Sequence, residues 1–128
     1  MASPTAARQL ARFVVGLTLD EVPGSVVEKA ALLALDTLGN SLAASREDFG
    51  RAVLGVAEGL GGRPESALLG SRARVASANA VLANATLAHG LDFDDTREDA
   101  IVHTGCVAVT TALEIGRASC RERVSIDV

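Results

Sequence analysis

The stretch that decides the fold covers residues 75–103 and reads VASANAVLANATLAHGLDFDDTREDAIVH. Its first half, residues 75–89, is rich in Ala and carries apolar side chains at helical spacing, which predicts a helix. The positions on the predicted packed face are Ala76, Ala80, Ala83 and Leu87. Residues 89–103 then bring together five acids and both histidines of the chain. Because such a polar cluster stands out in an Ala- and Leu-rich chain, we interpret it as a functional site delivered by a helix.

Helical spacing continues on the amino-terminal side of this stretch. Apolar residues recur with helical periodicity over residues 5–17, 26–44 and 49–60, and a further apolar run begins at residue 105. In the second helix, the stripe predicted to be buried consists of Val26, Val27, Ala30, Leu33, Ala34, Leu38 and Leu42. The apolar positions of the third helix are Phe49, Val53, Val56 and Leu60. Residues 66–70 are short and apolar, which favours an extended piece, but the pattern as a whole predicts an all-α fold.

Small and polar residues inside these helices also carry information. Gly39 lowers the propensity of its helix by up to about 1 kcal/mol relative to Ala, so we expect another helix to pack closely there. Asn79 and Asn84 lie on an otherwise apolar segment. Buried amides are usually hydrogen-bonded, and we interpret both residues as satisfied core amides in preference to functional groups.

Length and composition limit the classes of protein that the chain can represent. At 128 residues it is at most one domain, since domains typically have about 100–150 residues. A net charge of −4 offers no basic face for nucleic acid, and no apolar run approaches the ~20 residues of a membrane helix. Two cysteines set no disulfide framework. We therefore expect a cytoplasmic protein with no nucleic-acid and no membrane partner.

The carboxyl-terminal residues are interpreted as foreign to the rest of the chain. Residues 114–124 read EIGRASCRERV, which resembles the translation of a widely used sequencing adapter. Segments of this kind are set aside before the fold is considered. We predict that residues 1–114 are the N-terminal part of a longer protein and that residues 115–128 are a non-native tail. A natural Arg-rich tail is the alternative.

The polar cluster contains the groups that proton transfer needs. A carboxylate can act as acid or base, an imidazole exchanges a proton near neutral pH, and a hydroxyl can hold a substrate oxygen. Asp92, His103 and Thr96 offer these three groups. Three close aspartates are also typical of a loop or a helix cap, and a histidine is often structural, so both interpretations stay open. The separation of fourteen residues between the histidines is no metal-ligand signature, and we expect no metal.

Two blocks of the sequence resemble the MmgE/PrpD family. One is HGLDFDDT, followed seven residues later by His103, and the other is LARFVVGLTLDEVPGSVVEKAALLALDTLGNSLAAS at residues 10–45. The resemblance covers about residues 8–114 and implies the N-terminal part of a large helical domain, whose smaller lid domain is missing from this chain. It also implies a homodimer that acts on a small polycarboxylate without metal or cofactor. Family members include 2-methylcitrate dehydratase, cis-aconitate decarboxylase and iminodisuccinate epimerase.

The resemblance also implies roles for individual residues. The positions that match the family's catalytic motif are Asp92, Thr96 and His103. The residues that we expect to bind substrate are His89, Asp95 and Arg97. The family commonly has His in place of Arg97 and Pro in place of Thr104, and these departures bear on the substrate more than on the fold. Arg97 can clamp a carboxylate or simply lie on the surface.

Two other functions stay open at this point. DFDDT resembles the Asp-x-Asp-x-Thr loop of haloacid-dehalogenase-type phosphatases, in which the first Asp is a nucleophile beside magnesium. That chemistry needs a strand before the loop, whereas a predicted helix precedes it here. The other alternative is a non-catalytic helical interaction fragment. Because further catalytic groups of the family lie beyond residue 114, we expect the chain by itself to show no turnover.

Overall fold

The computed structural model describes the backbone of residues 5–126 and the side chains of residues 5–115. The α-helices of this range are α1 (Ala6–Gly16), α2 (Gly24–Ala44), α3 (Asp48–Leu60), α4 (Ser77–His89) and α5 (Gly105–Ile126). A 3-10 turn covers Leu19–Glu21, and the strands are β1 (Ser66–Ala67) and β2 (Arg74–Val75). With 65% of the chain helical and only this small sheet, the predicted all-α class is confirmed.

The chain divides into two compact units, residues 1–31 and residues 32–128, and α2 runs through the boundary. In the first unit, Thr5 caps α1 by accepting a hydrogen bond from the Arg8 N–H at 3.4 Å. The Glu21 carboxylate accepts from the Thr18 N–H and hydroxyl, both at 3.0 Å, and these bonds lower the pKa of Glu21. None of the described residues 5–31 is buried.

The second unit contains the hydrophobic core, which is built mainly where α3 meets α4. The buried core residues are Ala44, Leu54, Ala57, Leu68, Val75, Ala80, Ala83 and Leu87. The predicted face of α4 is confirmed at Ala80, Ala83 and Leu87, all of which are fully buried. Because most of these side chains are small, α4 packs closely against α3 on one side and α5 on another.

The predicted buried face of α2 is confirmed only in part. Leu33, Ala34 and Leu38 are half-buried, whereas Val26, Val27, Ala30 and Leu42 are exposed. The fully buried residues of the helix are Thr37, Ser41 and Ala44. The two hydroxyls are satisfied within the helix, since Thr37 donates to the Leu33 carbonyl at 2.8 Å and Ser41 to the Thr37 carbonyl at 2.7 Å. These two hydroxyls can therefore be buried without a hydrogen-bond partner outside the helix.

The close approach predicted at Gly39 occurs at Gly50 instead. A Cβ added at Gly39 would meet nothing within 4 Å. One added at Gly50, near the start of α3, would overlap the backbone carbonyl of Ala44. After this tight corner, α3 buries Leu54 and Ala57. Of its predicted apolar positions, Val53 packs against the core, whereas Phe49, Val56 and Leu60 are exposed.

The short antiparallel sheet joins α3 to α4, with Ser66 opposite Val75. The sequence predicted an extended piece over residues 66–70 but not its partner strand, because Val75 was placed in the following helix. Asn84 of α4 binds the sheet: its Oδ1 accepts from the Leu69 N–H at 2.9 Å, and its Nδ2 donates to the Ala67 carbonyl at 3.1 Å. The interpretation of Asn84 as a satisfied core amide is therefore confirmed.

Candidate active site

The end of α4 positions the first histidine and reverses the chain. Asp92 adopts a left-handed backbone conformation, with φ of 57°, and its N–H donates to the His89 carbonyl at 2.8 Å. Aspartate adopts this conformation more readily than most residues. Gly90 lies against the Phe49 ring, which a Cβ would overlap. The turn returns the chain to the end of α4, so that Asp94 contacts His89.

A short hairpin-like loop then leads toward the second histidine. Arg97 and Val102 form an isolated antiparallel bridge, and the Arg97 N–H donates to the Val102 carbonyl at 2.9 Å. Ile101, in the turn, has a left-handed φ of 49°. This conformation is unusual for a β-branched residue, so the bridge and its surroundings must impose it. The bridge brings residue 103 back beside the DFDD segment.

Asp95 completes the positioning by closing the loop on α5. Its carboxylate accepts from the Gly105 N–H and from the Thr104 hydroxyl, both at 2.8 Å. A carboxylate at this place satisfies a free N–H of the first helical turn and interacts favourably with the helix dipole. Gly105 has no room for a side chain, because a Cβ would overlap the Asp95 carboxylate. His103, two residues earlier, is thereby held near the end of α4.

The cluster that results consists of two imidazoles around one carboxylate, with a second carboxylate beside them. His89 Nδ1 lies 3.0 Å and 3.3 Å from the two carboxylate oxygens of Asp94. His103 Nδ1 lies 3.2 Å from Asp94 Oδ1, and His103 Nε2 lies 3.8 Å from Asp92 Oδ1. The two rings are 4.5 Å apart at their centroids and are tilted by 57°. The arrangement can orient two imidazoles and pass a proton toward an exposed acid.

Burial differs sharply across the cluster. The side chain of Asp94 is 0% exposed, while that of Asp92 is 80% exposed. His103 and His89 lie between these limits, at 24% and 49%. Asp94 therefore forms the floor of the site and cannot reach a substrate directly. Asp92 and the outer edges of the two rings face solvent, where a substrate can approach.

Negative charge in the floor also affects the neighbouring thiol. Burial raises the pKa of Cys106, and the charges of Asp94 and Asp95 raise it further. The Cys106 thiol donates to the His103 carbonyl at 3.3 Å. Because its thiolate is disfavoured, Cys106 is suited to holding the loop and is a poor nucleophile.

The same cluster offers donor atoms for a metal. His89, Asp92, Asp94 and His103 each supply one nitrogen or oxygen, and these atoms lie within 4.8 Å of one another. Nitrogen and carboxylate donors of this kind suit divalent transition metals. The wide sequence spacing of the histidines predicted no metal site. Because Asp95 closes the loop between them, the two histidines nevertheless lie side by side.

The structure brings some of the predicted site residues together and places others elsewhere. His89, Asp92 and His103 meet in the cluster. Thr96 is exposed, and within the described residues no hydrogen bond or ion pair joins its side chain to another group. Arg97 donates to both carboxylate oxygens of Asp99, at 2.8 Å and 3.0 Å, which lowers the pKa of Asp99. Their catalytic and substrate-binding roles remain predictions.

Asp94 is the residue of this cluster that the predicted set omitted. In the sequence it is one of three similar aspartates, and nothing in the spacing distinguishes it from Asp92 or Asp95. The structure separates the three by contact: Asp92 is exposed, Asp94 meets both imidazoles, and Asp95 caps α5. A useful signal would have been the spacing of Asp94 five residues after a helix-terminal histidine, which lets a tight turn bring the two together.

The fold and the cluster define a class: a helical domain that presents paired imidazoles and carboxylates at the end of one helix and the start of another. The family model of the MmgE/PrpD N-terminal domain matches residues 8–125. The chain therefore belongs to the MmgE/PrpD family, whose members are generally enzymes. The match extends into the residues interpreted as an adapter-derived tail.

No curated protein and no solved structure matches the chain. The helix α4, which precedes DFDDT, occupies the position where a haloacid-dehalogenase-type loop requires a strand. Within the described residues, no helix combines the length and the hydropathy needed to cross a membrane.

Proposed function

We propose that this chain supplies the acid–base cluster of a lyase or epimerase that acts on a small polycarboxylate, in the manner of 2-methylcitrate dehydratase. The observation that carries the proposal is the position of His103, whose ring lies between the buried Asp94 and the exposed Asp92. A ring that contacts a carboxylate at one nitrogen can exchange a proton at its other nitrogen. Membership of the MmgE/PrpD family supports the same chemistry.

The proposed reaction begins with removal of a proton from the carbon next to a substrate carboxylate. Asp92 and the outer nitrogen of His103 are the candidate bases, because they face the solvent side of the cluster. The electron pair left on carbon then expels a leaving group, or a proton returns to the opposite face. Loss of water gives a dehydratase, loss of carbon dioxide a decarboxylase, and reprotonation an epimerase.

The active form in this proposal is a homodimer of the longer protein, and it requires no metal. The 128-residue chain by itself is expected to be inactive, because the proposal assigns further catalytic groups to the continuation. The non-native tail is also part of the proposal and rests on the likeness of residues 114–124 to a translated sequencing adapter.

The junction is tested by sequencing the genomic locus across codon 114. We expect the natural reading frame to leave the present sequence at that codon and to continue into a longer open frame. An uninterrupted genomic EIGRASCRERV would refute the adapter interpretation without affecting the assignment of the cluster.

The activity is tested with the chain continued by its genomic sequence after Leu113. Turnover of 2-methylcitrate, cis-aconitate and iminodisuccinate is followed by proton NMR after dialysis against EDTA, with and without added zinc. We expect turnover of one of them without metal, and a loss of about 10²–10⁴-fold in kcat for His103→Ala and Asp92→Asn. The matched control is Glu98→Gln, which changes an exposed acid of the same loop outside the cluster and should keep the full rate.

Three results would count against the proposal. One is an unchanged rate in His103→Ala, and another is activity that appears only when metal is restored. The third is magnesium-dependent phosphatase activity in place of polycarboxylate turnover, which would favour the alternative reading of DFDDT. Turnover by the 128-residue chain itself would show that the cluster needs no further groups.

A further inference from the structure

Asp94 is an unusual carboxylate, because it is fully buried and yet has no arginine or lysine partner within the described residues. Its ion-pair contacts there are with His89 and His103. Burying a carboxylate is costly unless hydrogen-bond donors compensate. In this site the imidazole N–H groups are the hydrogen-bond donors available to compensate the carboxylate. The stability of the buried carboxylate and the orientation of both rings are therefore linked.

Both rings approach Asp94 with the same nitrogen. His89 Nδ1 is 3.0 Å from Asp94 Oδ1, and His103 Nδ1 is 3.2 Å from the same oxygen. The Nδ1 of His103 is buried and lies off the direction of a good hydrogen bond, so it has no hydrogen-bond partner in the described part of the chain. A small rotation of the ring would let its N–H reach Asp94.

We propose that Asp94 is a positioning residue that holds both histidines as the tautomer protonated at Nδ1. A carboxylate accepts hydrogen bonds and donates none when ionised. Each ring must then present N–H to Asp94 and keep the lone pair of Nε2 free. For His103 this free nitrogen lies on the side of Asp92, 3.8 Å from its carboxylate. Asp94 thus prepares the Nε2 atom of His103 to accept a proton, although Asp94 itself does not contact the substrate.

The proposal assigns a positioning residue to the proposed function. Only the expected effect of Asp94 on catalysis rests on that function. The tautomers themselves can be measured in the 128-residue chain without any activity. Because the chain has only two histidines, and both lie in the cluster, every histidine signal reports on the site. Heteronuclear NMR of the ring nitrogens distinguishes a protonated Nδ1 from a protonated Nε2. Spectra are recorded with EDTA present and at the alkaline plateau of the shifts, where both rings are neutral.

In the unmodified chain we expect both rings to be protonated at Nδ1. In Asp94→Ala, which removes the acceptor, both rings should shift toward the Nε2-protonated form that free histidine favours in water. Asp94→Glu keeps a carboxylate and should restore part of the Nδ1-protonated population. The matched control Asp99→Asn removes an exposed acid from the same loop and should leave the histidine spectrum unchanged.

The result that overturns the proposal is Nε2 protonation of both rings in the unmodified chain, or no change on Asp94→Ala. If Asp94→Ala does not fold, the spectrum of the unmodified chain still decides the question. A spectrum that changes when zinc is withheld or restored, with Nδ1 bound to metal, would also overturn it and would identify Asp94 as a metal ligand instead.

Kinetics on the genomically continued protein separate this inference from the proposed function. Asp94→Asn should lower kcat by about 10²-fold with little change in KM, because a positioning residue acts on the proton-transfer step through His103. If the tautomers are as expected but polycarboxylates are not turned over, the proposed function fails and the positioning role stands. If turnover occurs but the tautomers do not respond to Asp94, the positioning role fails alone.

Discussion

At the residue scale, Asp95 differs from the neighbouring aspartates because it bonds to the start of α5. Both of its carboxylate oxygens are occupied, one by the Gly105 N–H and the other by the Thr104 hydroxyl. These bonds close the loop that carries His103. Asp95 is therefore placed to fix the position of His103 in the candidate site without contacting it.

The stability of this closure is tested by Asp95→Ala. The substitution leaves a helix-terminal N–H and a hydroxyl without their acceptor, so we expect the free energy of unfolding to fall by about 1–2 kcal/mol. Urea denaturation followed by circular dichroism measures the change. Asp99→Ala, which removes an exposed acid of the same loop, should leave the midpoint unchanged. Equal midpoints for the two variants would show that Asp95 does not close the loop.

The pKa of the Cys106 thiol tests whether Asp94 and Asp95 place negative charge at the buried side of the site. Burial and the charges of Asp94 and Asp95 raise its pKa above the ordinary value of 9.0. Above pH 9.0 the unfolded chain loses the thiol proton while the folded chain still holds it. The stabilising contribution is thus fully present below that pH and is lost as pH rises through the raised folded value.

We therefore expect the free energy of unfolding to decline as the pH rises above 9.0, and to decline less in Cys106→Ala. The chain has no tyrosine and a single lysine, so few other groups titrate in this range. Urea titrations at stepwise increasing pH measure the slope. The same change at Cys120 tests whether the other thiol is responsible. A slope that is identical with and without Cys106 would contradict the assignment.

At the scale of elements, the corner between α2 and α3 leaves no room for a side chain at one position. Gly50 lies where the two helices meet, and a Cβ there would overlap the Ala44 carbonyl. We expect Gly50→Ala to lower the free energy of unfolding by about 1–3 kcal/mol, because backbone must move to make room. Chemical denaturation measures the effect.

The matched substitution in the same helix is Gly55→Ala. A Cβ at Gly55 would meet nothing within 4 Å, so the gain in helix propensity should raise the free energy of unfolding by roughly 0.5–1 kcal/mol. Opposite signs for the two variants are expected. Equal effects would mean that Gly50 is not at a tight helix–helix contact.

Periodicity identified the helices better than it identified their buried faces. The predicted helices over residues 5–17, 26–44 and 49–60 correspond to α1, α2 and α3. The predicted face of α4 is buried at Ala80, Ala83 and Leu87, whereas Ala76 precedes the helix and is half-buried. The buried faces of α2 and α3 differ from prediction because small residues, including Ser41, Gly50 and Ala57, make the closest contacts. Hydrophobicity does not show where two backbones must approach, so apolar side chains such as Val56 are left exposed.

At the scale of the whole molecule, the two units differ in how much they bury. None of the described residues 5–31 is buried, whereas residues 32–115 contain the hydrophobic core. Amides protected only by local helical bonds open more easily than those in a packed core. The two units should therefore differ in local stability, even though α2 passes through both.

Hydrogen exchange followed by mass spectrometry tests this difference. We expect amides of α1 to exchange faster than those of α4, because Ala80, Ala83 and Leu87 anchor α4 in the core. Peptides from α3 should resemble those from α4. Protection of α1 equal to that of α4 would show that residues 5–31 are stabilised by contacts that burial in the single chain does not reveal.

The sequence alone determined the helical class, the helix that leads into the polar loop, and the presence of His89, Asp92 and His103 in one candidate site. These features follow from local spacing, which depends on residues a few positions apart. Only the tertiary structure decided that Asp94 meets both imidazoles, that Asp95 caps α5, and that Thr96 lies outside the cluster. Those outcomes depend on a left-handed turn and on hydrogen bonds between residues up to ten positions apart. Similar aspartates in one loop can be distinguished only by the contacts that form when the loop closes.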